Sequence, residues 1–148
     1  MKINQIHGIT SLCLVLLSSV IGLGSILNAS LSMGLVYIVI LMLAPVVIVY
    51  AYCTKCPCRF GACAHVLPGK LAQFFPSRTP GPYTLLDVAG VLVAVLAMLM
   101  FPQFWLWQHK MWFVLSWVLQ VVAVIEIRLF VCRRCENRYC MLSRKPQK

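Results

Sequence analysis

The stretch "INQIHGITSLCLVLLSSVIGLGSILNASLSMGLVYIVILMLAPVVIVYAYCT", from Ile3 to Thr54, contains no Asp, Glu, Lys or Arg. At about 1.5 Å per helical residue, it is long enough to cross a hydrocarbon core of ~30 Å twice. Small and polar residues at 28–32, Asn-Ala-Ser-Leu-Ser, interrupt the apolar pattern near its middle. The stretch therefore predicts two membrane-spanning helices joined by a short turn.

The composition of the whole chain agrees with a membrane protein. Hydrophobic residues make up 61% of the chain, charged residues only 11%, and the mean hydropathy is +0.90. A soluble domain has about 45–50% apolar and about 25% charged residues. We therefore expect an integral membrane protein that has the lipid bilayer as its surroundings. With three acidic residues and no nucleophile or phosphate-binding motif, the sequence also argues against hydrolytic chemistry.

Hydropathy predicts four spans, at 9–27, 31–52, 85–105 and 111–131. Helices are expected because a backbone in lipid must satisfy its own hydrogen bonds, and the turns between spans 1 and 2 and between spans 3 and 4 are short enough to require antiparallel neighbours. The predicted fold class is an all-α integral membrane protein with two antiparallel hairpins. The whole chain, 1–148, would form one domain with a cysteine-rich loop at 53–83 and a tail at 132–148.

The distribution of basic residues predicts the orientation. Of the thirteen Lys and Arg residues, only Lys110 lies on one side of the predicted membrane. The others lie on the opposite side: Lys2, Lys55, Arg59, Lys70, Arg78, Arg128, Arg133, Arg134, Arg138, Arg144, Lys145 and Lys148. The positive-inside rule places both termini and the long loop in the cytoplasm, in an inner or plasma membrane. Because the net charge of +10 is a topology signal, nucleic acid is not expected as a partner.

Seven of the eight cysteines fall on the predicted cytoplasmic side in two groups. The segments "VYAYCTKC" (49–56) and "RLFVCRRC" (128–135) share one form, in which a helix exit leads directly into C-x-x-C. Two such pairs are the usual supply of four thiolates for zinc or an iron–sulfur cluster. Because the cytosol is reducing, these thiols are expected to bind metal and not to form disulfides.

The number of possible ligands allows two metal sites. One four-thiolate centre would use Cys53, Cys56, Cys132 and Cys135, and a second site would use Cys58, Cys63, His65 and Cys140. An alternative is a single cluster drawn from Cys53, Cys56, Cys58 and Cys63. The pattern indicates metal binding more strongly than it indicates which metal, so both an iron–sulfur cluster and Zn²⁺ remain open.

Two acidic residues lie in or beside predicted spans. Glu126 is inside span 4, where carboxylates are costly and mark functional sites, such as a proton relay or a quinone-binding site. The structural alternative pairs Glu126 with Arg128 or with a basic residue on another helix. Asp87 follows Thr84 by three residues and predicts a capping box that opens span 3. Phe74, Phe75 and Tyr83 are candidate anchors at the inner interface.

Two functions fit these features almost equally. The first is a membrane-anchored electron-transfer subunit, which passes electrons from its cysteine-ligated centre to a quinone or another subunit. In that role we expect a non-catalytic subunit of a redox complex, not a stand-alone enzyme. The second is a structural or assembly subunit whose hairpins are held together by zinc. Transport or sensing of a soft metal is a weaker third hypothesis because the predicted spans hold few ligands.

Overall fold

The computed structural model describes residues 3–57, 63, 65–135, 137, 139 and 140, and only the backbone of 3, 4, 66 and 134. Cys58, one of the predicted ligands, lies outside the described residues. Within the described ranges every regular element is helical. The all-helical prediction is therefore confirmed for this part of the chain.

Six α-helices and four shorter helical turns follow one another along the described chain. Two of these turns are π-helical and extend α2 and α6, and two are 3₁₀ turns. The elements are α1 (Ile3–Ala29), α2 (Leu31–Ile48) with a π-helical turn (Val49–Cys53), α3 (Val66–Leu71) with a 3₁₀ turn (Ala72–Phe74), α4 (Leu85–Met100), α5 (Gln103–Leu106), and α6 (Lys110–Glu126) with a π-helical turn (Ile127–Val131) and a 3₁₀ turn (Cys132–Arg134).

Four of the described helical segments are long and apolar enough to cross a membrane, as predicted. They are Gln5–Ala29, Leu31–Cys53, Leu85–Leu106 and Lys110–Val131. The first segment begins at Gln5, four residues before the start that hydropathy predicted, because the residues before Gly8 are also helical. Most large apolar side chains of these segments are exposed on the isolated chain, as expected where lipid would cover them.

The turn between α1 and α2 is short and closely packed. The Ser30 side chain caps α2 by accepting a hydrogen bond from the Met33 amide at 3.5 Å. A side chain at Gly34 would collide with Leu27, so the two helices approach each other here without room for a Cβ atom. The predicted break at 28–32 is therefore a capped turn and not an extended loop.

Small and polar side chains form much of the contact between spanning helices. Between α1 and α6, Gln120 Nε2 donates to the hydroxyls of Ser18 and Ser116 at 3.1 and 3.2 Å. Between α2 and α4, the buried Tyr37 hydroxyl donates to the carbonyl of Met98 at 2.9 Å. Lipid supplies no hydrophobic force between helices, and such hydrogen bonds and close contacts take its place.

Candidate functional site

The two C-x-x-C motifs follow the same kind of helix ending. The spanning helices α2 and α6 both end in a π-helical turn. Thr54 N–H donates to the Val49 carbonyl in the first turn, and Cys132 N–H donates to the Ile127 carbonyl in the second. Cys53 is the last residue of the first π-helical turn, whereas Cys132 is the residue just after the second. The two motifs therefore differ by one residue in their position relative to the π-helical turn. Turns of this kind interrupt helices most often at functional sites.

Each motif then closes in the same backbone turn. The Cys56 amide donates to the Cys53 carbonyl at 3.2 Å, and the Cys135 amide donates to the Cys132 carbonyl at 3.2 Å. A hydrogen bond between residues i and i+3 keeps their Cα atoms within about 7 Å. The two cysteines of each motif are therefore close neighbours, as the C-x-x-C spacing predicted.

A third thiol lies near each pair. Cys53 is within electrostatic reach of Cys56 and Cys63, which belong to the same loop. Cys132 is likewise within reach of Cys140 and Cys135. Burial and these two neighbouring thiols raise the pKa of Cys132 to about 11, against a smaller opposing effect of Arg128. The Cys132 thiol is therefore protonated near neutral pH, and a metal ion would have to displace that proton to bind.

Asn137 connects the C-terminal segment to the first motif. Its buried side-chain amide donates to Cys56 Sγ at 3.5 Å and to the Tyr83 hydroxyl at 2.9 Å. The Tyr83 ring stacks on Tyr52, with 4.2 Å between centroids, and is within electrostatic reach of both Cys56 and Cys140. One cysteine from each group thus lies beside the same tyrosine.

We call this end of the bundle, which carries Gly8, Cys53, Tyr83 and Cys132, the cysteine end. Tyr83 was expected as an interface anchor, but it is packed between the two cysteine groups. Burial raises the pKa of Tyr83, while the Asn137 amide opposes that shift. The Tyr83 hydroxyl is thus a neutral hydrogen-bonding group at neutral pH. It donates to the Tyr52 carbonyl at 3.3 Å while it accepts from Asn137.

His65 lies beside Cys63 and is largely buried. Cys63 Sγ donates to the His65 carbonyl at 3.2 Å, and the imidazole is within electrostatic reach of the Gly8 backbone in α1. Burial lowers the pKa of His65 below its ordinary value, so the ring is neutral at pH 7. Among the described residues, its Nδ1 is buried without a hydrogen-bond partner. A neutral imidazole has a lone pair on one of its two ring nitrogens, and this is the form that binds metals.

The structure brings the predicted ligands to one end without arranging them as a metal site. Within the described ranges, no three His, Cys, Asp or Glu side chains are grouped closely enough to hold one ion. The predicted ligands that the structure describes are Cys53, Cys56, Cys63, His65, Cys132, Cys135 and Cys140. The assignment of these residues to one centre or two stays a prediction.

Asp87 joins the first motif to α4. The predicted capping box is present, because the Thr84 hydroxyl accepts from the Asp87 amide and the Asp87 carboxylate accepts from the Thr84 amide. The same buried carboxylate is bound by Lys55 Nζ at 2.6 Å and by Arg78 at 2.7 Å. The sequence did not reveal these two partners. Lys55, which stands between Cys53 and Cys56, therefore neutralises a carboxylate instead of facing a thiolate.

Glu126 is paired with a residue that the sequence reasoning missed. Its Oε2 lies 2.7 Å from Nδ1 of His7, near the start of α1, and both side chains are partly buried. The His7 ring stacks on Phe130 with 4.3 Å between centroids. This contact is the pairing with a basic residue on another helix that the structural alternative described, and Arg128 is not that partner.

No family model, curated protein or solved structure matches this chain. What is shown is an all-helical chain with four helices able to span a membrane and with cysteines from two segments gathered at one end. Any function must therefore be argued from the geometry of the cysteine end and of the His7–Glu126 pair.

Proposed function

We propose that this protein is a membrane-anchored carrier of a cysteine-ligated metal centre and acts as an electron-transfer subunit of a membrane redox complex. The observation that supports this best is the repetition of one backbone turn, with the second cysteine amide bonded to the first cysteine carbonyl at 3.2 Å, at the ends of two spanning helices. Two matched turns present two pairs of soft ligands at the same end of the bundle.

The proposed ligands of the first centre are Cys53, Cys56, Cys132 and Cys135. Support comes from Asn137 and Tyr83, which hold the C-terminal segment against Cys56. To form one centre, the two short turns would have to move until both pairs face the same ion or cluster. A second site would draw on Cys58, Cys63, His65 and Cys140, and the unpartnered Nδ1 of His65 supports a role for this imidazole.

The surroundings of the thiols suit an electron-carrying centre. Iron–sulfur clusters are held by cysteine thiolates, and their potentials depend on hydrogen bonds to sulfur and on exposure to water. The Asn137 amide supplies one such hydrogen bond, to Cys56 Sγ. The described thiols of both motifs are neither fully buried nor fully exposed, so a partner protein could approach while the centre stays partly shielded.

The His7–Glu126 pair is the proposed proton or quinone site. Reduction of a quinone to a quinol consumes two electrons and two protons, so the electron acceptor must also find a proton donor at membrane depth. Histidine and glutamate side chains within spanning segments are the groups that form proton relays in membrane proteins. The pair joins α1 to α6 close to the cysteine end, where electrons would arrive.

The orientation and partners belong to the same proposal. With four spans arranged as two antiparallel hairpins, both termini and the cysteine end would face the cytoplasm, as the basic residues indicate. A cytoplasmic donor protein would then dock on the cysteine end, and other subunits would contact the spanning helices. Labelling of Lys70 from the outside of sealed cells would contradict this orientation.

A zinc-stapled structural subunit is the second candidate, favoured by a separate observation. Residues 75–84, before α4, form no helix, yet Tyr83 from this segment and Asn137 both pack beside Cys56. A closed four-thiolate zinc site would stabilise such irregular segments, and it would need no redox chemistry. In this case Glu126 would serve only to hold α1 against α6.

Metal and sulfide analysis of protein purified without oxygen, with a visible spectrum before and after reduction, tests both candidates. Electron transfer predicts iron, sulfide and an absorption that bleaches on reduction. Zinc alone supports the structural candidate, and a chain without metal refutes both. Cys56→Ser and Cys135→Ser should each lose the same metal, while Cys13→Ser, at an exposed position inside α1, should retain it. Loss of metal from one motif only would rule out a shared centre.

A further inference from the structure

We propose that the segment formed by α3 and its 3₁₀ turn, residues 66–74, is an interfacial helix that lies in the headgroup region of the bilayer. Its apolar ridge, which we define as Leu67, Leu71 and Phe74, would insert among the lipid chains. This inference concerns the membrane and not the metal, so it holds whether the centre carries iron, zinc or neither.

Contacts at both ends of the segment fix its depth. At its start, α3 packs against α1, which contains the spanning segment Gln5–Ala29, and against the π-helical turn that ends the second span. Immediately after it, the Phe75 ring packs edge-on against Tyr50, with 6.2 Å between centroids. Tyr50 belongs to the second spanning segment, three residues before its end at Cys53. The segment is therefore held at the level where two spans leave the membrane.

Three large apolar side chains of the segment are exposed, which would be unfavourable in water. Relative exposures are 63% for Leu67, 42% for Leu71 and 86% for Phe74. Their spacing of four and three residues places them along one side of a helix. Gly69 and Ala72 are buried on the other side, where the segment packs against the bundle. The segment thus has a packed side and an unpartnered apolar side.

The lipid bilayer is the occupant that the surroundings favour. The loop begins at the end of one span and returns at Leu85, the first residue of the next, which is 84% exposed. The ridge therefore continues the apolar surface that these spans present to lipid. Lys70 is exposed on the same segment, and its ammonium can reach lipid phosphates while the stem stays along the apolar surface.

An inserted segment would keep the cysteine end close to the membrane surface. His65 adjoins Cys63, so anchoring of α3 would limit how far the cysteine-rich loop can move from the bilayer. A partner protein would then approach the cysteines from the side of the C-terminal segment. Amphipathic helices bind membranes in this way when the apolar face is large enough to enter the boundary between headgroups and chains.

Depth-dependent fluorescence quenching tests the proposal on the full-length protein. Dansylalanine would replace Leu67, Leu71 or Phe74, one at a time, with Gln73 as the control because it is exposed, polar and adjacent to Phe74. Each variant would be reconstituted into phosphatidylcholine–phosphatidylglycerol vesicles that contain brominated lipids, and iodide would be added as the aqueous quencher. All replaced side chains point away from the bundle, so their replacement leaves the packed side intact.

The three ridge positions should show blue-shifted emission, strong quenching by brominated lipids and weak quenching by iodide. The Gln73 position should show the reverse. Iodide quenching at all four positions would overturn the proposal. The proposal would also be overturned if the ridge were shielded from both quenchers and this shielding increased with protein concentration. In that case a second copy of the protein would cover the ridge.

As a second measurement, Leu67→Ser combined with Phe74→Ser should abolish protection of the 66–74 amides from hydrogen exchange in vesicles but not alter protection in α1.

Discussion

The two C-x-x-C motifs share one backbone turn but differ in what surrounds them. At the first motif, Lys55 is buried against Asp87, and Asn137 bonds to Cys56. At the second motif, Arg133 is exposed. The first motif is therefore held by tertiary contacts of Lys55 and Cys56 that need no metal. The difference between these described side chains shows that matched local sequences do not ensure matched surroundings, because the surroundings depend on long-range partners.

The largest loss of stability should follow substitution of Asp87. Asp87→Ala removes the carboxylate that neutralises Lys55 and Arg78 and that completes the capping box of α4. Breaking a buried ion pair in this way costs roughly 3–5 kcal/mol. Unfolding with denaturing surfactant in mixed micelles should show a loss of this size. Alkylation of Cys56 should become faster while that of Cys135 stays the same, and an equal change at both motifs would show that they are not held independently.

A smaller loss of unfolding free energy is expected when the His7–Glu126 pair, near the end of α6, is broken. His7→Leu leaves the Glu126 carboxylate without its partner at the α1–α6 contact. A hydrogen bond to a charged group contributes about 1.5–3 kcal/mol. The same unfolding assay should detect this loss, with His109→Leu, in the turn at the opposite end and exposed, as the matched control. Equal stability of the two variants would mean that the pair contributes nothing to folding.

Glu126→Gln separates the two roles of the same pair. Glutamine keeps the size and a hydrogen bond to His7, so the loss of stability should be below that of His7→Leu. If the pair supplies protons, electron transfer to a water-soluble quinone should slow at unchanged metal content. Unchanged turnover would leave the pair with a structural role only and would favour the zinc-stapled subunit.

Asn137→Leu should have a still smaller effect on stability. The substitution keeps the volume but removes the side-chain amide, whose nitrogen donates to Cys56 and Tyr83 and whose oxygen accepts from the Tyr139 amide. A neutral hydrogen bond contributes about 0.5–1.5 kcal/mol. A double-mutant cycle with Tyr83→Phe should show coupling between the two positions. Additive losses would indicate that the Asn137–Tyr83 contact has no energetic value.

The smallest effect should be that of Arg133→Gln. Arg133 is exposed, and substitutions at such positions usually change stability by less than about 0.5 kcal/mol. Lys55→Gln replaces the buried basic residue of the other motif and should cost several times more because Asp87 would lose a buried partner. If the two variants were equally stable, the contrast between the motifs would be wrong.

Local features of the site could be predicted from the sequence, but the partners could not. The C-x-x-C turns and the Thr84–Asp87 capping box depend on residues three apart, so their spacing is visible in the chain. The Glu126 carboxylate was recognised as unusual in a span, yet its partner His7 is 119 residues away. Nothing in the local pattern distinguishes His7 from the basic residues that seemed better candidates.

The sequence alone determined the four spans, because lipid selects helices by length and apolar composition, and both are properties of a continuous segment. It also determined the form of the two helix exits. Only the tertiary structure decided which side chains meet at the cysteine end: Lys55 with Asp87, Asn137 with Cys56, and Asn137 with Tyr83. These pairs depend on how the helices pack, and helix packing in lipid is set by close contacts and hydrogen bonds that no single segment contains.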